Sequence, residues 1–256
     1  MPFCELKLFS AALQKHTALN VILPQSDIPG PYPVFYLLHG LSDDHTRWMR
    51  QTSIERYVDN LPLIVVMPDG ERNWYCDSLE GPAFETSLIH DIIGYVDHIF
   101  PTNKTRAGRA IGGLSMGGYG AMKLALKFPE MFCSATSHSG AIGFGSRMFN
   151  PKPENKFELE MARIMGMNPV GGPNDAYALA EKTSKLEEGK RPALRIDCGT
   201  EDFLLQDNRK FTAHLDKLGY KHEYQEFPGA HEWKYWDAHV QEAVKFHVSH
   251  LAMPKK

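Results

Sequence analysis

The sequence predicts an α/β fold: one domain over residues 1–256, with a mostly parallel sheet flanked by helices on both faces. Three observations predict it. The apolar runs at residues 34–38 and 63–67 have strand length and no polar alternation, the pattern of strands covered on both faces, and Leu194-Arg195-Ile196-Asp197-Cys198 restores a strand pattern late in the chain. Helical patterns separate them, and strands that alternate with helices build parallel sheets. The glycine-rich run from Gly112 to Gly120 joins a strand to a helix through a tight turn. A chain of 256 residues suits such a domain undivided.

The elements follow in order. Residues 3–9 and 15–23 read as strands, the second alternating around Ala18, Asn20 and Ile22. Residues 26–33 are a Pro/Gly turn cluster. The strand 34–38 ends in His39-Gly40, and residues 45–59 read as a helix. The strand 63–67 ends in Pro68-Asp69-Gly70. Residues 84–100 are helical, with Leu88, Ile92, Val96 and Ile99 on one face. The glycine-rich turn and its helix come next, ended by Phe128-Pro129, then a strand over 132–137. Residues 141–185 hold Gly, Pro and Met with room for two short helices; a small cap over the site and a solvent-facing loop region fit equally. A strand at 194–198, a helix at 206–218, a strand at 222–227 and a helix at 234–250 close the chain. Repeats, low-complexity tracts and a second domain are absent from the pattern.

Net charge is -3, which leaves no basic footprint for nucleic acid or an anionic membrane. No apolar run is long enough to cross a bilayer. Met1-Pro2-Phe3-Cys4-Glu5 lacks the basic and apolar regions of a secretory signal. Cys4, Cys76, Cys133 and Cys198 are scattered, so reduced thiols in a cytoplasmic protein are expected.

Gly113-Leu114-Ser115-Met116-Gly117 is a G-x-S-x-G motif. In a nucleophile elbow of that form, the serine sits on a strained strand-to-helix turn with its hydroxyl exposed above the sheet. The bland reading is a phosphate-cradling loop, but that loop ends in Gly-Lys-Ser/Thr, absent here. The flanks decide for the elbow: Arg109-Ala110-Ile111 ends a buried strand, and residues 121–127 are helix formers. Ser115 is therefore the candidate nucleophile.

A serine hydroxyl needs a base, and the base needs an orienting carboxylate. Both should follow the serine in the chain, on loops at the same sheet edge. His231, in the turn Phe227-Pro228-Gly229-Ala230-His231 after a strand, is the candidate base. His214 and His239 lie in helices, His247 and His250 near the end, His222 at a strand start, and His138 out of order. Asp202 follows the strand at 194–198 and is the candidate acid, with adjacent Glu201 as alternative. Asp197 lies inside the strand facing helices, and Asp207 reads as a helix-start charge. The candidate oxyanion donors are the backbone N–H groups of Met116, after the serine, and Leu41, after His39-Gly40. His39, Asp43, Asp44 and His45 have no recognised metal-ligand spacing, so neither a metal nor a cofactor is expected.

On these motifs the chain resembles the esterase D-like branch of the α/β-hydrolases. The branch includes tributyrin esterases, S-formylglutathione hydrolases, feruloyl and acetylxylan esterases, and mycolyltransferases. The resemblance rests on Leu37-Leu38-His39-Gly40-Leu41-Ser42-Asp43-Asp44, on Pro68-Asp69-Gly70 with Trp74-Tyr75, on the run from Gly113 to Gly120, on Gly199-Thr200-Glu201-Asp202, and on Gly229-Ala230-His231-Glu232-Trp233 with Tyr235-Trp236. It implies Ser115, Asp202 and His231 as triad and Leu41 and Met116 as oxyanion donors. It also implies a cofactor-independent serine carboxylesterase acting on small acetyl to butyryl esters, with bacterial tributyrin esterases as the nearest likeness. S-formylglutathione hydrolases typically carry Ser-Gly at 39–40 and Thr-Cys near 42–43, whereas this chain has His39-Gly40 and Ser42-Asp43. Feruloyl or acetylxylan esters, a glutathione thioester, acyl transfer and a non-catalytic binding protein are the rival readings. His39, Trp74, Trp233 and Trp236 are candidate lining of the substrate pocket; for the tryptophans the core is the equal alternative. Members of the branch often pair, which keeps a homo-oligomer open.

Overall fold

In a computed structural model, which describes residues 1–25, 27–152 and 154–254, the chain forms an eight-stranded sheet in the order β1-β2-β4-β3-β5-β6-β7-β8. β1 (Phe3–Ser10) and β2 (Lys15–Ile22) make an antiparallel hairpin. β2 joins β4 (Ile64–Pro68) antiparallel, and β4 pairs β3 (Val34–Leu38) parallel. From there β5 (Arg109–Leu114), β6 (Ser134–His138), β7 (Ala193–Gly199) and β8 (His222–Phe227) add in parallel. The central strands β3, β4, β5 and β6 are buried throughout, which is why, apart from Arg109 and His138 at their ends, they read as apolar or small runs.

Helices cover both faces and split the core into two clusters. One lies around Tyr36, Val66, Ile111, Met122 and Phe132, under α4 (Ile93–Ile99) and α5 (Met116–Lys127). The other lies around Phe35, Leu37, Val65, Trp48 and Val240, under α1 (Arg47–Gln51), α2 (Ile54–Tyr57) and α9 (Trp233–His250). The helix expected at 45–59 is thus two short ones. Thr52 breaks it: its extended backbone ends α1, and its hydroxyl bonds back to the Trp48 carbonyl. The helix expected at 84–100 forms α3 (Phe84–Thr86), a π-helical turn (Ser87–Ile92) and α4. The side chains of Ser87 and Asp91, on that turn, bond Ser10 at the end of β1.

Residues 141–185 contain a 3-10 turn (Ile142–Ser146), α6 (Lys156–Met165) and α7 (Ala176–Thr183). They pack along α5: Tyr119 donates to the Asn174 carbonyl at 2.7 Å, and Thr183 to that of Leu126 at 2.7 Å. Ser26, in the turn cluster 26–33, and Pro153 lie outside the described residues. α8 (Leu205–Lys217) precedes β8 and completes the layers. The four cysteines are unpaired, and three are buried. Among the described residues no helix is long and apolar enough to cross a membrane.

Candidate active site

Parallel strands end together, so the turns after β3, β5, β7 and β8 gather at one sheet edge. The turn after β5 is the tightest. Ser115 has φ +52° and ψ -115°, a strained conformation held by the backbone around it. Its N–H donates to the His138 carbonyl at 2.9 Å, and its carbonyl accepts from Ala141 and Tyr119. The flanking glycines are required by close approach: a Cβ on Gly113 would lie 2.6 Å from the Leu38 carbonyl oxygen, and one on Gly117 2.5 Å from it. The motif is thus the imprint of β3 running hard against the start of α5.

The turns after β7 and β8 cross almost in contact, since a Cβ on Gly199 would sit 2.1 Å from the Gly229 carbonyl oxygen. The Glu201 amide donates to the Gly229 carbonyl, and the Gly229 amide donates back to the Glu201 carboxylate. The crossing sets Asp202 beside His231. Asp202 Oδ2 lies 2.9 Å from His231 Nδ1, and His231 Nε2 lies 3.0 Å from Ser115 Oγ. Glu201, the alternative acid, is exposed and serves this crossing instead. Asp202 is buried, and burial raises its pKa. The His231 ring, the Leu204 amide and the Ser139 hydroxyl outweigh that and hold the carboxyl below its ordinary range. Phe203 and Trp236 flank the His231 ring, with centroids 4.6 and 4.9 Å away.

Asp197 and His138, set aside from the catalytic set, form a separate buried pair at 2.9 Å, to which Tyr235 adds a hydrogen bond. The nearest cysteine is inert: burial pushes the Cys198 thiol up to about 12.

The Met116 amide opens α5, where first-turn N–H groups have no intrahelical acceptor. Leu41 follows Gly40 in a turn closed by Asp43 N–H donating to the Gly40 carbonyl. Leu41 borders a cleft of about 540 Å³ lined also by Gly40, Asp43, Arg47, Ser115, Phe203, His231, Trp233 and Trp236, among others, and Met116 directly follows the Ser115 that lines it.

Two of the expected pocket residues are elsewhere. His39 is buried: its Nδ1 is 2.7 Å from the Gly40 carbonyl, and its Nε2 accepts from the Gly70 amide at 2.9 Å. It therefore ties the turn after β3 to the turn after β4 and does not line the cleft. Asp69 lies 3.4 Å from the same Nε2, but a nitrogen accepting from Gly70 carries no proton for an ion pair. Trp74 stacks on Phe144 at 4.8 Å and meets Tyr119 edge-on, so it anchors the 141–185 segment to α5. No described residue of that segment lines the cleft, which is a departure from a cap over the site.

Arg47 and Phe203 were not singled out from the sequence. Arg47 pairs Asp43 at 3.1 Å and lies 5.7 Å from the Trp233 ring centroid. Phe203 follows Asp202 directly and is exposed; the signal available in the sequence is an aromatic next to the candidate acid. Asp44 caps Thr46 locally. Among the described residues no three His, Cys, Asp or Glu side chains converge to hold a metal ion.

Comparison with known proteins places the chain in a family. The Esterase family model matches residues 10–247. The chain belongs to that family. It is similar to the acetyl esterase of Caldicellulosiruptor saccharolyticus, 29% identical over 96% of this chain and 98% of that one. It is also similar to FphF, a fluorophosphonate-binding serine hydrolase of Staphylococcus aureus solved with substrate bound. That match has 32% identity, covers 96% of this chain and 98% of that one, and has a TM-score of 0.86. S-formylglutathione hydrolase FrmB of Staphylococcus aureus matches at 32% identity over the same shares, with a TM-score of 0.82. The chain is a serine-type carboxylic ester hydrolase of the esterase D-like branch, on an α/β-hydrolase fold.

Proposed function

We propose that the chain is a single catalytic unit, a cytoplasmic esterase that hydrolyses short acyl esters, acetyl to butyryl, through an acyl-enzyme on Ser115. The observation that carries this is the relay of 2.9 and 3.0 Å from Asp202 through His231 to Ser115 Oγ. His231 Nε2 takes the Ser115 proton as the oxygen attacks the ester carbonyl. Asp202, ionised because its partners outweigh its burial, fixes the Nδ1–H tautomer and stabilises the imidazolium. The Leu41 and Met116 amides receive the developing oxyanion. His231 then gives its proton to the departing alcohol, and water activated by the same nitrogen releases the acid.

Short acyl chains suit a cleft bounded by Phe203, Trp233 and Trp236, and the likeness to a protein named acetyl esterase supports them. The test is a substrate series: p-nitrophenyl acetate, butyrate and octanoate, methyl ferulate, and S-formylglutathione. We expect kcat/KM highest for acetate or butyrate. A preference of tenfold or more for methyl ferulate or S-formylglutathione would replace the substrate class and leave the mechanism intact.

A further inference from the structure

β1 is an edge strand of eight residues. Its inner rim is engaged: the Leu23 amide donates to the Pro2 carbonyl at 2.9 Å, so Pro2 and Leu23 form a hydrogen-bonded pair. The register continues with Phe3 opposite Ile22, Glu5 opposite Asn20 and Lys7 opposite Ala18. Hydrogen-bonded and non-hydrogen-bonded pairs alternate along an antiparallel ladder. The even-numbered residues of β1 therefore turn their backbone groups toward β2. Phe3, Glu5, Lys7 and Phe9 turn theirs outward, where no described residue meets them.

The side chains of those same four residues share one face. Phe3 and Phe9 are 44% and 59% exposed, unusual for phenylalanine. Neither Glu5 nor Lys7 has an ion-pair partner among the described residues. The order Phe-Glu-Lys-Phe at every second position is self-complementary. Turned end for end about Leu6, it matches itself: Glu5 meets Lys7, Lys7 meets Glu5, and Phe3 meets Phe9. These are also the residues whose outward N–H and C=O groups fall opposite each other in that register. Sliding the register to centre on Glu5 or on Lys7 sets like charges face to face and pairs phenylalanine with charge.

We propose that the outer edge of β1 is the docking surface for a second copy of this chain, paired antiparallel about Leu6 so that the two sheets become continuous across a two-fold axis. The charge pattern selects both the partner and the register. A charged edge otherwise serves to repel strand addition, and here its two charges are self-complementary under the two-fold. The interface is isologous, as a two-fold requires, and it leaves the Ser115 clefts of both copies outside the contact.

The experiment is sedimentation velocity over micromolar concentrations on the wild type, Glu5→Lys, Lys7→Glu, the double swap, and Lys7→Pro. The wild type should sediment as a dimer. Each single swap sets two like-charge pairs across the axis and should raise the dimer Kd by about tenfold or more. The double swap should restore the dimer, and mixing the two single variants should give a heterodimer. Lys7→Pro deletes an outward amide while keeping every β1–β2 bond, so it should yield monomer. Hydrolysis of p-nitrophenyl butyrate reports folding in each variant, because these residues are remote from the cleft. A monomeric wild type overturns the proposal. A dimer indifferent to the swaps and the proline also overturns it, and a double swap that stays dissociated overturns the register.

Discussion

Replacing Gly117 by alanine tests the elbow at its tightest point. The added Cβ would sit 2.5 Å from the Leu38 carbonyl oxygen, 2.6 Å from that of His39 and 2.7 Å from the Leu38 carbonyl carbon. All three are backbone atoms, so no side chain can swing aside. Restoring ordinary contact requires a relative displacement of about 1 Å between α5 and the end of β3, and a misplacement of that order costs roughly 10²-fold in rate. The displaced segment leads directly into Gly40 and Leu41, whose amide borders the cleft. Overpacking of this kind costs about 1–3 kcal/mol, which lowers Tm by roughly 3–10 °C in a chain of this size. Gly189→Ala is the control, because a Cβ there meets nothing within 4 Å. The assay is kcat on p-nitrophenyl butyrate beside a thermal melt. We expect kcat lower by about 10² for Gly117→Ala and unchanged for Gly189→Ala. A Gly117→Ala enzyme with kcat within about twofold of wild type would refute the claim that this contact sets the catalytic geometry.

Asp202→Asn should lower kcat by about 10³–10⁴, read in the same assay, through loss of the productive His231 tautomer. It should also flatten acid stability. The folded Asp202 carboxyl is held below its ordinary value, so its stabilisation is present above the unfolded pKa of about 4 and is lost as pH falls through the folded value. Urea midpoints at neutral pH and near pH 3 should converge for the variant more than for the wild type. Glu85→Gln should be destabilising by about 3–5 kcal/mol, because it strips the carboxylate from fully buried Lys123, 2.8 Å away. A melt lowered by less than about 3 °C would show that Lys123 needs no counter-charge.

Much of this molecule is legible in its sequence, for physical reasons that can be named. The strands at 34–38 and 109–114 announce themselves because burial on both faces forbids polar alternation. The elbow is legible because two backbones meet there and only glycine permits it. His231 and Asp202 follow from chain order together with their place on turns after strands, since strand ends share one sheet edge. What escaped is direction and distance. His39 sits within a motif that borders the cleft and Trp74 in the turn region tied to it through His39, but sequence does not say which way a side chain points. The imidazole of His39 turns to two backbone groups, and the indole of Trp74 turns to Phe144. The break at Thr52 and the π-helical turn at Ser87–Ile92 change helical registry without changing composition, so the periodicity around them still reads as one helix. The segment 141–185 reads as ambiguous because its helices are short and bury few residues each.

The most direct test of the central claim is hydrolysis of p-nitrophenyl butyrate by the wild type and by Ser115→Ala at matched concentration, with folding checked by thermal melt. The account predicts a fall in kcat/KM of about 10³-fold or more for a variant that melts like the wild type. Equal rates for the two proteins would contradict it and remove Ser115 from the reaction.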